Sequence, residues 1–300
     1  GEINNTRIYC GVIIDNTYLY MGTDNGILIY NYRTDRYEQP ATDFPTDVRT
    51  MALQGDTLWI GALNGLYTYQ LQNRKLSPLG TKRNGLPHNT IYSIIRTGDN
   101  QIYVGTYNGL CRYIASNGKF EKIPLPVNSS QSNLFVNSLL EDTGRQCIWI
   151  GTEGYLFQYF PSTGQMKQTE AFHNNSIKSL ALDGNGYLLA GTDNGLYVYH
   201  NDVTPLQHII HDSRNIQSLT NNIIWNIFAD QEHNIWLGTD YGISLSRYNS
   251  ALQFIPISQI TGTGDGNQFY SLFRDSKGFY WFGGTNGLIR FTDPAGDKHN

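Results

Sequence analysis

Apolar and polar residues alternate along most of this chain, in short runs broken by clusters of Gly, Asn and Asp. The stretches 91–106 (IYSIIRTGDNQIYVGT), 177–192 (IKSLALDGNGYLLAGT), 224–239 (IWNIFADQEHNIWLGT) and 269–284 (FYSLFRDSKGFYWFGG) share one plan. An alternating run enters a polar turn, and a run centred on Trp, Tyr or Leu comes back. Further strands such as LYVYH follow and return through turns like NGKFEKI. A period of two interrupted by turn residues specifies antiparallel strands in meander order. No segment carries the 3.6-residue apolar period, so helix should be nearly absent.

The plan repeats. The phrase GTDNGLYVYH at 191–200 stands at 22–30 as GTDNGILIY and at 61–69 as GALNGLYTY. Its first glycine falls at Gly22, Gly61, Gly105, Gly151, Gly191, Gly238 and Gly283, at intervals of 39 to 47 residues. Two residues earlier stand Tyr20, Trp59, Tyr103, Trp149, Leu189, Trp236 and Trp281. Five residues later stand Ile27, Leu66, Leu110, Leu156, Leu196, Ile243 and Leu288. A second glycine follows four after the first except in the fourth copy, which moves it to Gly154. Four strands (a to d) per unit of this length make a propeller blade. The expected fold is therefore all-β, a seven-bladed β-propeller of four-stranded antiparallel blades forming a single domain over 1–300. Its blades fall near 8–42, 46–83, 89–126, 133–170, 175–210, 222–257 and 267–300. The phrase itself reads as the b–c hairpin, whose Asn and Gly reach positive φ cheaply. The seventh copy stops after its strand c. Either residues 1–7 supply the missing strand, or the chain is cut where a further domain begins.

Composition narrows the picture. Apolar residues are 39% and charged residues 15%, with 31 Gly and 21 Tyr, which suits a turn-rich β protein. The formal net charge of −4 offers no general attraction to nucleic acid or anionic lipid, so neither is expected to touch this segment. No apolar run is long enough to span a membrane as a helix. The absence of an initiating Met or leader marks the chain as an expected fragment of a longer protein. Cys10, Cys111 and Cys147 lack metal-ligand spacing and read as small apolar residues.

The segment 85–123, GLPHNTIYSIIRTGDNQIYVGTYNGLCRYIASNGKFEKI read from Gly85, resembles the two-component regulator propeller repeat, and the likeness recurs at all seven positions. That family fills extracytoplasmic sensor regions of hybrid two-component histidine kinases in gut bacteria that respond to glycans. The resemblance implies a periplasmic input domain within an inner-membrane-anchored protein, with kinase, phosphorelay and DNA-binding parts elsewhere. It also implies a neighbouring propeller and a small β-sandwich as partners, and dimer contacts.

No catalytic motif or cofactor fingerprint stands out, so no cofactor or metal is expected. The Gly-rich TGTGDG at 261–266 precedes no helical pattern and reads as a loop. Asp142, Asp183, Asp230 and Asp275 fall at a–b turns, where Asp caps its own backbone, and carboxylates spread round a ring do not form a glycosidase pair. His88 and His173 read as loop residues. The informative positions are those where the copies differ. A motif N-x-φ-x-S/N-φ starts strand a at Asn89, Asn133, Asn175, Asn222 and Asn267, on the face shared by the d–a and b–c loops. Its fourth place holds Arg49, Tyr92, Val136, Lys178, Trp225 and Tyr270. Aromatic faces with cations at a concave mouth suit a sugar, above all an acidic one. The expected ligand site is thus Arg49, Tyr92, Lys178, Trp225 and Tyr270, with Asn89, Asn222 and Asn267. The asparagines could equally cap inter-blade turns, and the fourth-place residues could pack between strands. The expected function is a non-catalytic oligosaccharide sensor. A propeller hydrolase or lyase, and a pure protein-interaction module, stay open as alternatives.

Overall fold

The computed structural model describes residues 6–38, 40, 42–80, 84–126, 134–168, 175–200, 204–248, 252–258 and 267–292. It is a seven-bladed β-propeller. Blade 1 runs from β1 (Ile8–Ile14) to β4 (Arg36–Glu38) and blade 2 from β5 (Val48–Gln54) to β8 (Lys75–Leu79). Blade 3 runs from β9 (Ile91–Arg96) to β12 (Lys119–Ile123), and blade 4 from β13 (Val136–Asp142) to β16 (Gln165–Gln168). Blades 5 and 6 run from β17 (Ile177–Leu182) to β20 (Gln207–Ile209) and from β21 (Ile224–Ala229) to β24 (Phe254–Pro256). Blade 7 shows β25 (Phe269–Arg274), β26 (Tyr280–Gly284) and β27 (Gly287–Phe291). All pairings are antiparallel between consecutive strands. The segments invoked for the last strand, at 1–5 and 293–300, lie outside the described residues, as do the TGTGDG loop, Asn133 and His173.

Burial is greatest in strands b and c, between the half-buried strand a and the exposed strand d. Strand b is covered on both faces and reads as a continuous apolar run, as in Cys147–Thr152. Strand d is short and largely exposed, as in Arg36–Glu38. Seven apolar clusters each join neighbouring blades. The strand-b ring of one blade meets a strand-c ring of the next: Trp59 lies 4.9 Å from Tyr113, Tyr103 6.4 Å from Tyr159, and Trp236 6.1 Å from Phe291. Trp281 lies 5.4 Å from Tyr30, so blade 7 closes directly onto blade 1.

The repeated phrase has two structural jobs. The second glycine takes φ between +89° and +109° at Gly26, Gly109, Gly195, Gly242 and Gly287, which L side chains adopt at a cost. The preceding threonine locks the turn, as when Thr192 Oγ1 donates to the Gly195 carbonyl at 2.9 Å. The first glycine marks the close approach of the next blade. A Cβ on Gly105 would stand 2.6 Å from Val136 Cγ1, and one on Gly283 2.7 Å from Ile8 Cγ2.

Candidate functional site

Strand a slips by one residue against strand b in every blade. Ile91 pairs with Thr106 and Ser93 with Gly105; Ile177 pairs with Thr192 and Ser179 with Gly191; the other five blades shift likewise. A bulge leaves its extra residue out of the ladder and re-aims its side chain. The skipped residues are Tyr9, Arg49, Tyr92, Asn137, Lys178, Trp225 and Tyr270. All seven are half-buried and line one central cavity of about 740 Å³.

The sequence pattern found five of these. It missed Tyr9, because blade 1 has no Asn-led start, and it put Val136 where Asn137 belongs. Val136 pairs with Thr152, is fully buried, and packs under Gly105 of the preceding blade. Leu134 stands where other blades have Asn, so the motif slipped by one. The Leu134 carbonyl accepts the Gly109 amide at 3.0 Å, as the Asn222 carbonyl accepts that of Gly195, which fixes the true register.

Five ring residues form a connected arc through blades 2, 1, 7, 6 and 5. The Arg49 guanidinium lies 3.8 Å from the Tyr9 ring centroid, and Tyr9 is 5.4 Å from Tyr270. Tyr270 meets Trp225 edge-on at 5.2 Å, and Lys178 Nζ sits 4.3 Å over the Trp225 ring. Behind the arc, Trp225 Nε1 donates to Asp240 Oδ1 at 3.0 Å. Gln268 Nε2 donates to the same oxygen at 2.6 Å, and Gln268 Oε1 accepts from the Tyr270 hydroxyl. Both cations have carboxylate partners: Lys178 pairs with Asp193 at 2.8 Å and Arg49 with Asp47 at 3.3 Å. Across the mouth, Tyr92 lies 6.0 Å from Phe135, which lies 4.3 Å from Tyr107. Burial pushes the Tyr92 and Tyr270 hydroxyls upward, so both stay protonated at neutral pH. Below the ring lie Thr50, Ser93, Ser138, Ser179 and Ser271, a layer of hydroxyls. Flat faces beside many neutral donors and acceptors match the two sides of a sugar ring.

The asparagines sit apart from this lining. Asn89 is exposed, Asn222 Oδ1 accepts from the His211 amide at 2.6 Å, and the Asn267 side chain meets Asn286. Main-chain carbonyls at their place take the second-glycine amide of the preceding blade: Asn222 from Gly195 at 2.7 Å, Asn267 from Gly242 at 2.9 Å. The His88 ring lies 4.8 Å from that of Tyr107, tilted by 33°. The turn aspartates cap their own turns and do more: Asp142, Asp230 and Asp275 each accept the indole N–H of their blade's strand-b Trp, at 2.8–3.0 Å. Cys111 and Cys147 are buried free thiols, and Cys10 lines the cavity. Among the described residues no group of His, Cys, Asp and Glu could hold a metal ion.

Seven blades closed core to core, with a side-chain ring at one end of the channel, define a closed β-propeller with a lined central cavity. The two-component regulator propeller model matches residues 85–108, 218–241 and 263–286. Two solved structures of the extracellular domain of one putative signalling system from B. thetaiotaomicron are 91% and 92% identical to this chain, with TM-scores of 0.80 and 0.79. They are described as one-component and hybrid two-component respectively, and cover 100% and 98% of this chain. Histidine kinase P4 of Formosa agariphila is 29% identical over 310 residues, 92% of this chain. The chain carries two-component regulator propeller repeats and is similar to the extracellular domains of such signalling systems. It spans 41% and 39% of the two solved chains and 21% of the Formosa kinase. Virginiamycin B lyase of Staphylococcus aureus, 15% identical with a TM-score of 0.73 over 98% of both chains, shares the fold alone.

Proposed function

We propose that this propeller reads a ligand for the periplasmic sensor region of a hybrid two-component histidine kinase, and that the ligand is an oligosaccharide seated on the bulge ring. The carrying observation is the ring itself. Seven bulges aim seven side chains of five types at one cavity, while the residues flanking them in strand a stay alike. The Tyr9–Tyr270–Trp225 arc offers stacking faces, and Asn137, Ser176 and the protonated tyrosines offer hydrogen bonds. Arg49 and Lys178 already face carboxylates, which favours a neutral sugar at those two positions of the ring. Glu153 is the one carboxylate among the described lining residues, which favours recognition over glycosidic chemistry, since the latter uses an acid pair. Ligand binding would bias the propeller's contacts with the rest of the sensor and so its signalling state.

The test is calorimetry of this chain against a panel of neutral and acidic oligosaccharides, repeated with Trp225→Ala and Arg49→Ala. Trp225→Ala should weaken binding by about tenfold or more, as loss of a central aromatic anchor does. Binding that survives both substitutions unchanged places the ligand elsewhere.

A further inference from the structure

The repeat assigns a pair of rings to six of the seven inter-blade interfaces, one from strand b and one from strand c of the next blade, and at four of them the two rings are in contact. The strand-b position holds Tyr20, Trp59, Tyr103, Trp149, Leu189, Trp236 and Trp281. The strand register places Tyr30, Tyr69, Tyr113, Tyr159, Tyr199, Ser246 and Phe291 at the strand-c position. The two exceptions meet: Leu189 of blade 5 faces blade 6, whose partner is Ser246. Both rings are missing from the same interface. A cavity of about 400 Å³ lies at this interface, on the a–b turn face and away from the channel mouth; Ser246 and Tyr187 line it, while Leu189 is fully buried and does not. Val198, Ile235 and Leu252 supply apolar wall, and Asp183 and His233 stand at the turns.

The chemistry of the other interfaces says what fits this one. In blades 4, 6 and 7 the turn aspartate accepts an indole N–H from its own Trp. In blade 5 Asp183 takes two turn amides on Oδ1, from Asn185 at 2.9 Å and Tyr187 at 2.7 Å, and Leu189 has no side-chain N–H to offer. The rim carries Leu206, 60% exposed, and Tyr248, 43% exposed, apolar surface beyond what the fold requires. We infer that this cleft between blades 5 and 6 is a second binding site, which accepts an external indole-type ring and takes its N–H at the Asp183 carboxylate. This inference stands independently of the sugar at the channel mouth.

Saturation-transfer NMR on the 300-residue chain tests it with indole, N-methylindole and the capped tripeptide Gly-Trp-Gly as probes. Indole and the tripeptide should bind, and N-methylindole should bind about fivefold or more weakly because it lacks the donor. Leu189→Trp/Ser246→Tyr rebuilds the repeat's own ring pair; it should abolish probe binding and raise the melting temperature. Leu206→Asp, on the exposed rim, should weaken binding without altering the fold, and serves if the double variant does not fold. A tripeptide that binds tighter than free indole assigns the ring to a polypeptide, and the reverse order assigns it to a free aromatic compound; both support the site. Absence of probe binding, equal affinity for N-methylindole, or binding that survives the double variant and Leu206→Asp overturns it.

Discussion

Trp225 differs from the other four tryptophans in where its backbone puts it. Trp59, Trp149, Trp236 and Trp281 are strand-b residues, buried between blades, with their N–H groups held at the a–b turn. Trp225 is a bulge residue, half-buried at the channel mouth, with its N–H held by Asp240. The same residue type is therefore scaffold in four places and surface chemistry in one. Asp142 shows the scaffold role at its clearest. Its burial favours the neutral acid, but hydrogen bonds from Trp149 and Arg145 and the Arg145 charge outweigh it, so its carboxyl titrates below the ordinary range. A depressed folded-state pKa means stability that is present above the unfolded value of about 3.9 and is lost as pH falls through the folded one. Denaturation midpoints followed down from pH 5 should fall in the native protein, and Asp142→Asn should flatten that fall. An equally steep fall in the variant assigns acid sensitivity to other carboxylates.

At the scale of the strand and turn, the phrase that repeats most faithfully carries packing, and the bulge beside it carries diversity. Gly283→Ala would drive a Cβ to 2.3 Å from Ser271 Oγ and 2.7 Å from Ile8 Cγ2 at the blade 7–blade 1 contact. Overpacking of this kind costs about 1–3 kcal/mol. Gly144→Ala meets only Asp142 Oδ1 at 3.5 Å and should be close to neutral. Urea midpoints of the two variants check this, and equal midpoints contradict the contact. Blade number, strand order and the hairpin role of the phrase were legible because each rests on periods of two and of about 43 residues. The bulge was not, since a skipped residue leaves the letters unchanged and shows itself only in the strand register. Tyr9 escaped the pattern because blade 1 has no Asn-led start, and Val136 displaced Asn137 because Asn133 set the motif one residue early. The asparagines misled for a related reason: their repetition follows a main-chain hydrogen bond to the preceding blade's glycine, and their side chains turn to loops.

Across the whole molecule, the seven interfaces are close to equivalent, so departures from the repeat stand out against six references. One set of departures surrounds the channel mouth, and one pair opens the cleft between blades 5 and 6, on the opposite face. The placement suits an input module: a small ligand at one face and a docked ring at the other would be coupled through blades that pack core to core. The family likeness points to a sensor region, and the bulge ring supplies the residues proposed to read its ligand. Because four tryptophans are buried and Trp225 alone lines the mouth, its fluorescence reports the site selectively. The most direct measurement is acrylamide quenching of this chain with and without a bound oligosaccharide from the panel, using Trp225→Phe as control. The quenchable fraction should shrink on binding, and the effect should vanish in Trp225→Phe. A sugar that binds while leaving Trp225 as accessible as before contradicts a site on the bulge ring.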